Sequence, residues 1–477
     1  MLTSSRFGTY SGVGAINAGL DLEMPGKTRH RGPAVEFAMS SRLIKQSTLD
    51  TRAGKVLQFV ERASRLKVSP TEGSRDFPED RQLNRELCAS SIVLLKNDKK
   101  VLPLPKKIKK VALIGSHIKN SSITGGGSAS LEPYYAVSLF DAIKEKLGPD
   151  VEIIYEVGAY AHKMLPLIYQ QMSNAVIHFF NEPSSVTDRR CVAKEPLQKT
   201  NFQLMDYKNP ALNFDLFYGS VEADFTPDIS GVWEFGLTVC GTADFYIDDE
   251  LIIDDSTVQR PGTSFFFKGT AEEFGYKEMV AGKVYKLRID FGSAATSKIK
   301  TLGTVSFGGG GARLGACPVL DVQETIRKAA KVAAEADCAI LCTGLNADWE
   351  GEAFDRPNMS LPPNIDELVT SVLKAAPNTV VVNQSGTPVS MPWHPLASSI
   401  IQAWYGGNET GNGIADVIFG DFNPCAKLPL SWPKDIHDTP AFLNFGSTKG
   451  RVLYGEDVYV GYKYFDKVER APLFAFG

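Results

Sequence analysis

Apolar residues recur at helical spacing over residues 48–67, where Leu49, Val56, Phe59, Val60 and Leu66 fall toward one side. From 80 to 97 a second helical pattern runs into the strand-like IVLLKN. Short β-rich runs at 111–115 and 151–155 bracket an amphipathic helix over 138–147. After residue 320 the alternation resumes with helix 322–334, buried strand 338–344, helix 364–375, strands 379–383 and 399–404, and helix 411–419 capped by Gly420. Strands alternating with helices predict an α/β layered domain around a mainly parallel sheet. Between about 168 and 306 the period changes to two. Aromatic and β-branched residues alternate with polar ones there, and GVWEFGLTVCGTADFYIDDELIID (231–254) reads as consecutive hairpins. An all-β domain inserted into the α/β domain is expected, with the glycines 308–311 as a flexible re-entry hinge. The boundaries read as 1–70 for an N-terminal segment, 71–167 and 307–477 for the two parts of the α/β domain, and 168–306 for the insertion.

Composition narrows the class without pointing to a function. Of 477 residues, 43% are hydrophobic and 22% charged, which excludes a disordered chain. The 42 glycines and 27 prolines follow no fixed period, so collagen-like designs are excluded too. Net charge is −4, and the one basic patch, KKIKK at 106–110, reads as a solvated approach to a strand, so no nucleic-acid partner is expected. The start, MLTSSRFGTY, lacks a basic region followed by an apolar core, and no window reaches about 18 uninterrupted apolar residues. No secretory signal and no membrane partner are therefore expected. Seven cysteines are scattered without framework spacing, and Cys338 and Cys342 lie in an apolar run as buried thiols. The expectation is a reduced, cytoplasmic protein without metal or cofactor.

The densest group of ionisable residues is Asp348-Trp349-Glu350-Gly351-Glu352-Ala353-Phe354-Asp355-Arg356, directly after the strand that ends at Gly344. Ligands of open α/β sheets bind beyond the carboxyl ends of strands, so the position suits a site. A glutamate beside Trp and Phe can act as a general acid; the alternative is a solvated acidic loop with Arg356 paired to a neighbour. Two glycine-bearing loops also follow strands, TGGGS (124–128) and NQSG (383–386). Neither matches a phosphate-binding fingerprint, and both read as packing turns. The six histidines are scattered, so no Ser-His-Asp triad is assembled.

These segments also carry a resemblance. FGTYSGVGAINAGLDLEMPG (7–26), SSIVLLKND (90–98), ITGGGSASLEPYYAV (123–137), GLNADWEGEAFDR (344–356), VNQSGTPVSMPW (382–393) and QAWYGGNETGNGIADVIFGDFNPCAKLPLSWP (402–433) resemble the β-glucosidases of glycoside hydrolase family 3. The likeness is to the fungal type with a protective-antigen-like β-domain. It implies an α/β sandwich domain with that all-β insertion, and it makes residues 1–70 a short remnant of a (β/α)8 barrel end. Family members are retaining hydrolases with an Asp nucleophile on the barrel and a Glu acid/base on the second domain. Retention needs the two carboxyls about 5–5.5 Å apart. The resemblance puts the acid/base at Glu352, with Glu350 as runner-up, and Ala353 stands where the family usually has Gly.

Departures from the family pattern suggest a changed function. Ser5 and Arg6 stand where the family's Ser-Asp-Trp has its nucleophile and Trp, and a serine without a companion base does not replace a carboxylate. Relatives also carry more barrel before this chain's start and a fibronectin type III domain after its end. The expectation is therefore a non-hydrolytic catalyst of cyclase or isomerase type acting on a small-molecule substrate of a biosynthetic pathway. Glu352, Glu350 and Arg356 would polarise that substrate, and Trp349, Phe354, Asp348, Tyr134 and Tyr135 would line its pocket with Trp404 and Tyr405. A homodimer is expected to cover the former barrel face. The alternatives are residual β-glucosidase activity and a non-catalytic glycan-binding protein using the inserted β-domain, whose aromatic strands around 245–246 and 265–267 read at least equally as sandwich core.

Overall fold

The computed structural model describes residues 3–4, 8–24, 30–69, 71, 73, 75–105, 107–131, 133–169, 171–205, 207–299, 308–352 and 355–477, with residues 3, 4 and 266 through their backbone only. The chain divides into two units, Met1–Arg75 and Asp76–Gly477. In the first, β1 (Thr3–Ser4) pairs in parallel with β2 (Leu22–Glu23), and between them lies α1 (Gly12–Ala18). The Ser11 side chain accepts from Gly14 N at 3.0 Å to cap α1, and Gly19 ends it in the left-handed region. Helices α2 (Pro33–Ser40) and α3 (Gln46–Ser64) follow, around a small core of Ile16, Ala38 and Ile44. The helix expected at 48–67 thus starts two residues earlier and stops three earlier, and none of its residues is buried.

The second unit opens with α4 (Pro78–Ser91), β3 (Val93–Asn97), β4 (Lys110–Ile114), α5 (Leu139–Leu147) and β5 (Glu152–Glu156). The chain then enters a run of antiparallel strands: β6 (Met172–Phe180), β7 (Ala193–Pro196), β8 (Asn201–Gln203), β9 (Tyr218–Phe225), β10 (Gly231–Cys240), β11 (Thr242–Ile247) and β12 (Glu250–Asp255). One turn of helix, α6 (Ser264–Phe267), precedes β13 (Glu273–Met279), β14 (Tyr285–Gly292) and β15 (Gly311–Pro318). The α/β pattern returns with α7 (Val322–Glu335), β16 (Cys338–Gly344), α8 (Ile365–Ala375), β17 (Val380–Gln384), β18 (Ser399–Gln402), α9 (Thr410–Phe419) and α10 (Tyr462–Lys467).

The α/β part is one six-stranded sheet in the order β3-β18-β17-β16-β4-β5, parallel except for β3. Successive residues along its strands supply opposite faces, as the pleat requires. Ala112, Ile114, Leu341, Val381 and Ile400 join one core with residues of α7 and α8. Val111, Leu113, Ile340, Val382 and Ile401 join the other with residues of α4, α5 and α9. Both faces are covered, which is why these strands read as continuous apolar runs rather than alternating ones.

The antiparallel strands form two sheets, β13-β10-β15-β8 and β12-β11-β14-β9-β6-β7. Alternate residues of β10 (Trp233, Phe235, Leu237, Val239) and β14 (Tyr285, Leu287, Ile289, Phe291) enter a shared aromatic core. Three details differ from the sequence reading. The last strand, β15, follows the glycine run and pairs with β10 and β8, so the sandwich extends beyond residue 306. The glycines serve close packing: a Cβ on Gly310 would lie 2.2 Å from the Cys240 carbonyl oxygen, and one on Gly311 2.5 Å from that of Phe202. The aromatic run at 265–267 is helical turn rather than strand, whereas Phe245 is fully buried, in keeping with the core reading of its strand.

Candidate active site

The order of the parallel sheet places a topological switch point between β4 and β16. From β4 the chain moves outward to β5, and from β16 it moves the other way to β17. Both strands end at glycines that allow backbones to cross closely. Gly115 has φ 103° and a Cβ there would lie 2.1 Å from the Cys342 carbonyl oxygen; at Gly344, with φ 150°, it would lie 1.8 Å from that of Gln384. The two loops that leave this edge then pair with each other. Gly126 and Gly351 form an isolated parallel bridge, with Gly126 N donating to the Glu350 carbonyl at 2.8 Å.

The pairing sets the position of Glu352. A Cβ on Gly127 would lie 2.6 Å from the Glu352 Cβ, so the TGGGS loop packs directly on the acidic run. Ser128 N donates to Glu352 Oε2 at 3.0 Å, and the Ser128 hydroxyl donates to the same oxygen. Glu352 is exposed, so its carboxyl is within reach of a ligand from solvent. Hydrogen bonds of this type to a carboxylate are among the stronger ones and fix its direction.

Glu350 is held differently. Its carboxylate accepts from Gly386 N at 2.6 Å and from the hydroxyls of Thr387 and Tyr405. Arg356 Nη2 donates to Thr387 Oγ1 and to the Pro388 carbonyl, each at 2.9 Å. Burial lowers the Arg356 pKa, against the raising influence of Glu350. Burial, followed by the Glu350 charge, holds the Tyr405 phenol far above its usual range, so it stays a donor.

The other expected residues are placed as follows. Asp348 N donates to Asn346 Oδ1 at 3.0 Å in the turn that starts the run. Trp349 is half-buried against the core, its indole N–H donating to the Ala161 carbonyl at 2.8 Å. Tyr134 is 62% exposed. Tyr135 lies under the Arg81 guanidinium of α4, 4.0 Å from its ring centre, and burial together with Glu409 pushes its phenol up to about 12. Phe354 and Ala353 lie outside the described residues, as do Ser5 and Arg6. The structure thus gathers Glu350, Glu352 and Arg356 on one loop and ties Tyr135 to another part of the domain. Tyr405, expected to line a pocket, instead donates to Glu350, while Ser128 and Thr387 are partners that the sequence reading did not assign. Their signal was available, because the two glycine-bearing loops follow strands that flank β16; those loops hold the glutamates as well as turning the chain.

The sequence pattern of the Glycosyl hydrolase family 3 C-terminal domain matches residues 92–462. A probable β-glucosidase H of Neosartorya fischeri is 61% identical over 478 aligned residues, covering 100% of this chain and 57% of that protein. A probable β-glucosidase H of Aspergillus oryzae is 62% identical, covering 100% of this chain and 58% of its own length. The crystal structure of a β-glucosidase from Kluyveromyces marxianus in complex with glucose superposes with a TM-score of 0.90 at 40% identity, over 100% of this chain and 58% of that one. This chain therefore spans somewhat more than half the length of these relatives.

These relatives overturn the expectation of a cyclase or isomerase. Identity at this level runs through proteins named as β-glucosidases over the whole of the present chain. The physical reason lies in the aromatic residues, which were expected to line a new pocket. The indoles of Trp349 and Trp404 are committed to framework carbonyls, the latter to Ser91 at 3.0 Å, and the Tyr405 hydroxyl is committed to Glu350. The acidic loop keeps its hydrogen-bonded order at the switch point. The pattern match, the fold and the full-length identity agree: the chain belongs to glycosyl hydrolase family 3.

Proposed function

We propose that this chain carries the acid/base side of a β-glucosidase, with Glu352 as the acid/base. The observation that carries the reading is the placement of Glu352: exposed, at the switch point, with one carboxylate oxygen fixed by Ser128. In a retaining reaction a second carboxylate bonds to the anomeric carbon as this residue protonates the departing glycosidic oxygen, and its carboxylate then takes a proton from the water that displaces that second carboxylate. The relatives' β-glucosidase names support a β-linked glucoside as substrate. The resemblance puts the second carboxyl of the reaction at position 5, where the sequence has Ser5, so hydrolysis by this chain is the direct test.

The experiment is hydrolysis of an aryl β-glucoside by the purified chain and by Glu352→Gln. Turnover by the parent, with a loss of about 10²–10⁴-fold in the variant, is the expected outcome. A folded parent without turnover, or a variant as active as the parent, rejects the proposal.

A further inference from the structure

Glu350 lies two residues from Glu352, yet it is built into the framework. Its oxygens receive three donors from two separate segments: Gly386 N and the Tyr405 hydroxyl on Oε2, and the Thr387 hydroxyl on Oε1. Gly386 leaves little room for anything else, since a Cβ there would lie 3.3 Å from both Glu350 Oε2 and the Tyr405 ring. The turn that provides these donors is itself held from beneath. Ser385 Oγ donates to the Thr387 carbonyl at 2.8 Å, and Gln402 Nε2 donates to the Ser385 carbonyl at 2.7 Å. Asn383 Nδ2 donates to Gln402 Oε1 at 2.6 Å and to Ser385 Oγ at 2.9 Å.

Asn383, Ser385 and Gln402 are fully buried at the carboxyl ends of β17 and β18. Apolar residues would pack there at lower cost, because a buried polar group needs its partners to offset desolvation. The network leads in one direction, from the strand ends through the 385–388 turn to Glu350. From Glu350 the backbone passes through the Gly126–Gly351 bridge to Glu352.

We infer that Glu350 is the positioning residue that fixes the loop carrying Glu352, with the Tyr405 hydroxyl and the Asn383–Gln402 pair as its support. The inference rests on the reading of Glu352 as the acid/base. It also removes Glu350 as runner-up for that role: its lone pairs face the 385–388 turn and Tyr405.

The test compares Glu350→Ala, Glu350→Gln, Tyr405→Phe and Glu352→Gln in the full chain by amide hydrogen exchange and by turnover. Exchange over residues 346–356 is expected to quicken at least about tenfold in Glu350→Ala, less in Glu350→Gln and Tyr405→Phe, and not at all in Glu352→Gln. With an alkyl β-glucoside, kcat is expected to fall about 10²-fold in Glu350→Ala with KM little changed, as a misplacement of about 1 Å produces. A dinitrophenyl glucoside, whose leaving group departs without a proton, is expected to lose much less. Equal losses on both substrates would indicate a merely structural role and overturn the inference, as would unchanged exchange in Glu350→Ala. A larger loss on the alkyl glucoside in Glu350→Gln than in Glu352→Gln would make Glu350 the acid/base instead. If the parent hydrolyses neither glucoside, the reading of Glu352 fails, while the exchange arm still decides whether Glu350 anchors the loop.

Discussion

The acidic loop and the β-sandwich each hold a pair of carboxyls, and they handle them in opposite ways. On the loop, Glu350 and Glu352 stand at the edge of a parallel sheet and are met by backbone N–H groups and hydroxyls. In the sandwich, Asp255 is fully buried, accepts from Thr270 Oγ1 at 2.6 Å on one oxygen, and has no partner on the other. Glu272 is similarly enclosed, with Arg313 at 3.3 Å and Leu165 N at 3.1 Å. Burial pushes both sandwich carboxyls up to about 7, more than the Thr270 and Arg313 contacts lower them. A search for displaced titration alone therefore points at the sandwich. What singles out the loop is an exposed carboxylate, Glu352, aimed by Ser128 beside a glutamate that donors from two segments hold in place, and this separates a group placed for chemistry from one enclosed by packing.

The strongest way to break this contrast is to empty the sandwich core. Phe235 is fully buried, with Phe245 5.3 Å away and Phe225 6.1 Å away between ring centres. Phe235→Ala is expected to cost about 3–5 kcal/mol of stability, read from urea unfolding. Exchange at residues 346–356 should stay as in the parent under native conditions, because Phe235 belongs to a different core from the one beneath the loop.

A matched pair of hydroxyl deletions sharpens the contrast. Thr270→Val removes the donor to Asp255 inside the sandwich, and Thr270 is itself fully buried. A loss of about 1–3 kcal/mol in stability is expected, with turnover per folded molecule unchanged. Ser128→Ala removes the hydroxyl donor to exposed Glu352. Its expected effect is the reverse: stability within about 0.5 kcal/mol of the parent, and turnover lowered. Thermal melts and aryl glucoside rates of both variants, run together, check the pair. Equal effects on both readouts would erase the distinction between the two regions.

How much of this was legible in the chain follows the same division. The parallel strands were legible because both faces are buried, so runs such as 111–115 and 379–383 stand out against their surroundings. The last sandwich strand was missed because glycine signals flexibility to a local reading, whereas Gly310 and Gly311 are there to let strands approach. The acidic loop was legible as a cluster, since Glu350, Glu352 and Arg356 are neighbours in sequence. Its partners were not. Ser128 lies 224 residues from Glu352, and Tyr405 lies 55 from Glu350, so only the sheet order brings them together. The functional expectation failed for a related reason. It weighed two residues near the start above the rest of the chain, and it counted aromatics as available whose polar atoms the fold already uses.

A change of pH tests the protonation logic of the sandwich directly. Asp255 has an ordinary value of 3.8 and is pushed up to about 7 when folded, chiefly by burial, with Glu273 and Asp254 adding to the rise. Between those values the folded state holds a proton that the unfolded chain releases, so stability falls as pH rises from about 4 to 7. The contribution is fully present below the lower value and is lost on passing the upper one. Asp416 works in the opposite sense: burial raises its pKa, but Arg85 at 2.5 Å and Lys146 at 2.8 Å together outweigh it and keep the pKa below the usual range, so its contribution is lost in acid. Asp255→Asn keeps a neutral side chain of the same shape at every pH. Its stability should therefore fall less than the parent's between pH 4 and 7, by up to about 1.4 kcal/mol per pH unit for one proton. Urea unfolding at pH 4.5, 5.5 and 6.5 measures the two slopes. Parallel slopes would show that the Asp255 carboxyl is charged in its pocket after all. It would then be held as the loop carboxylates are, by donors rather than by exclusion of water.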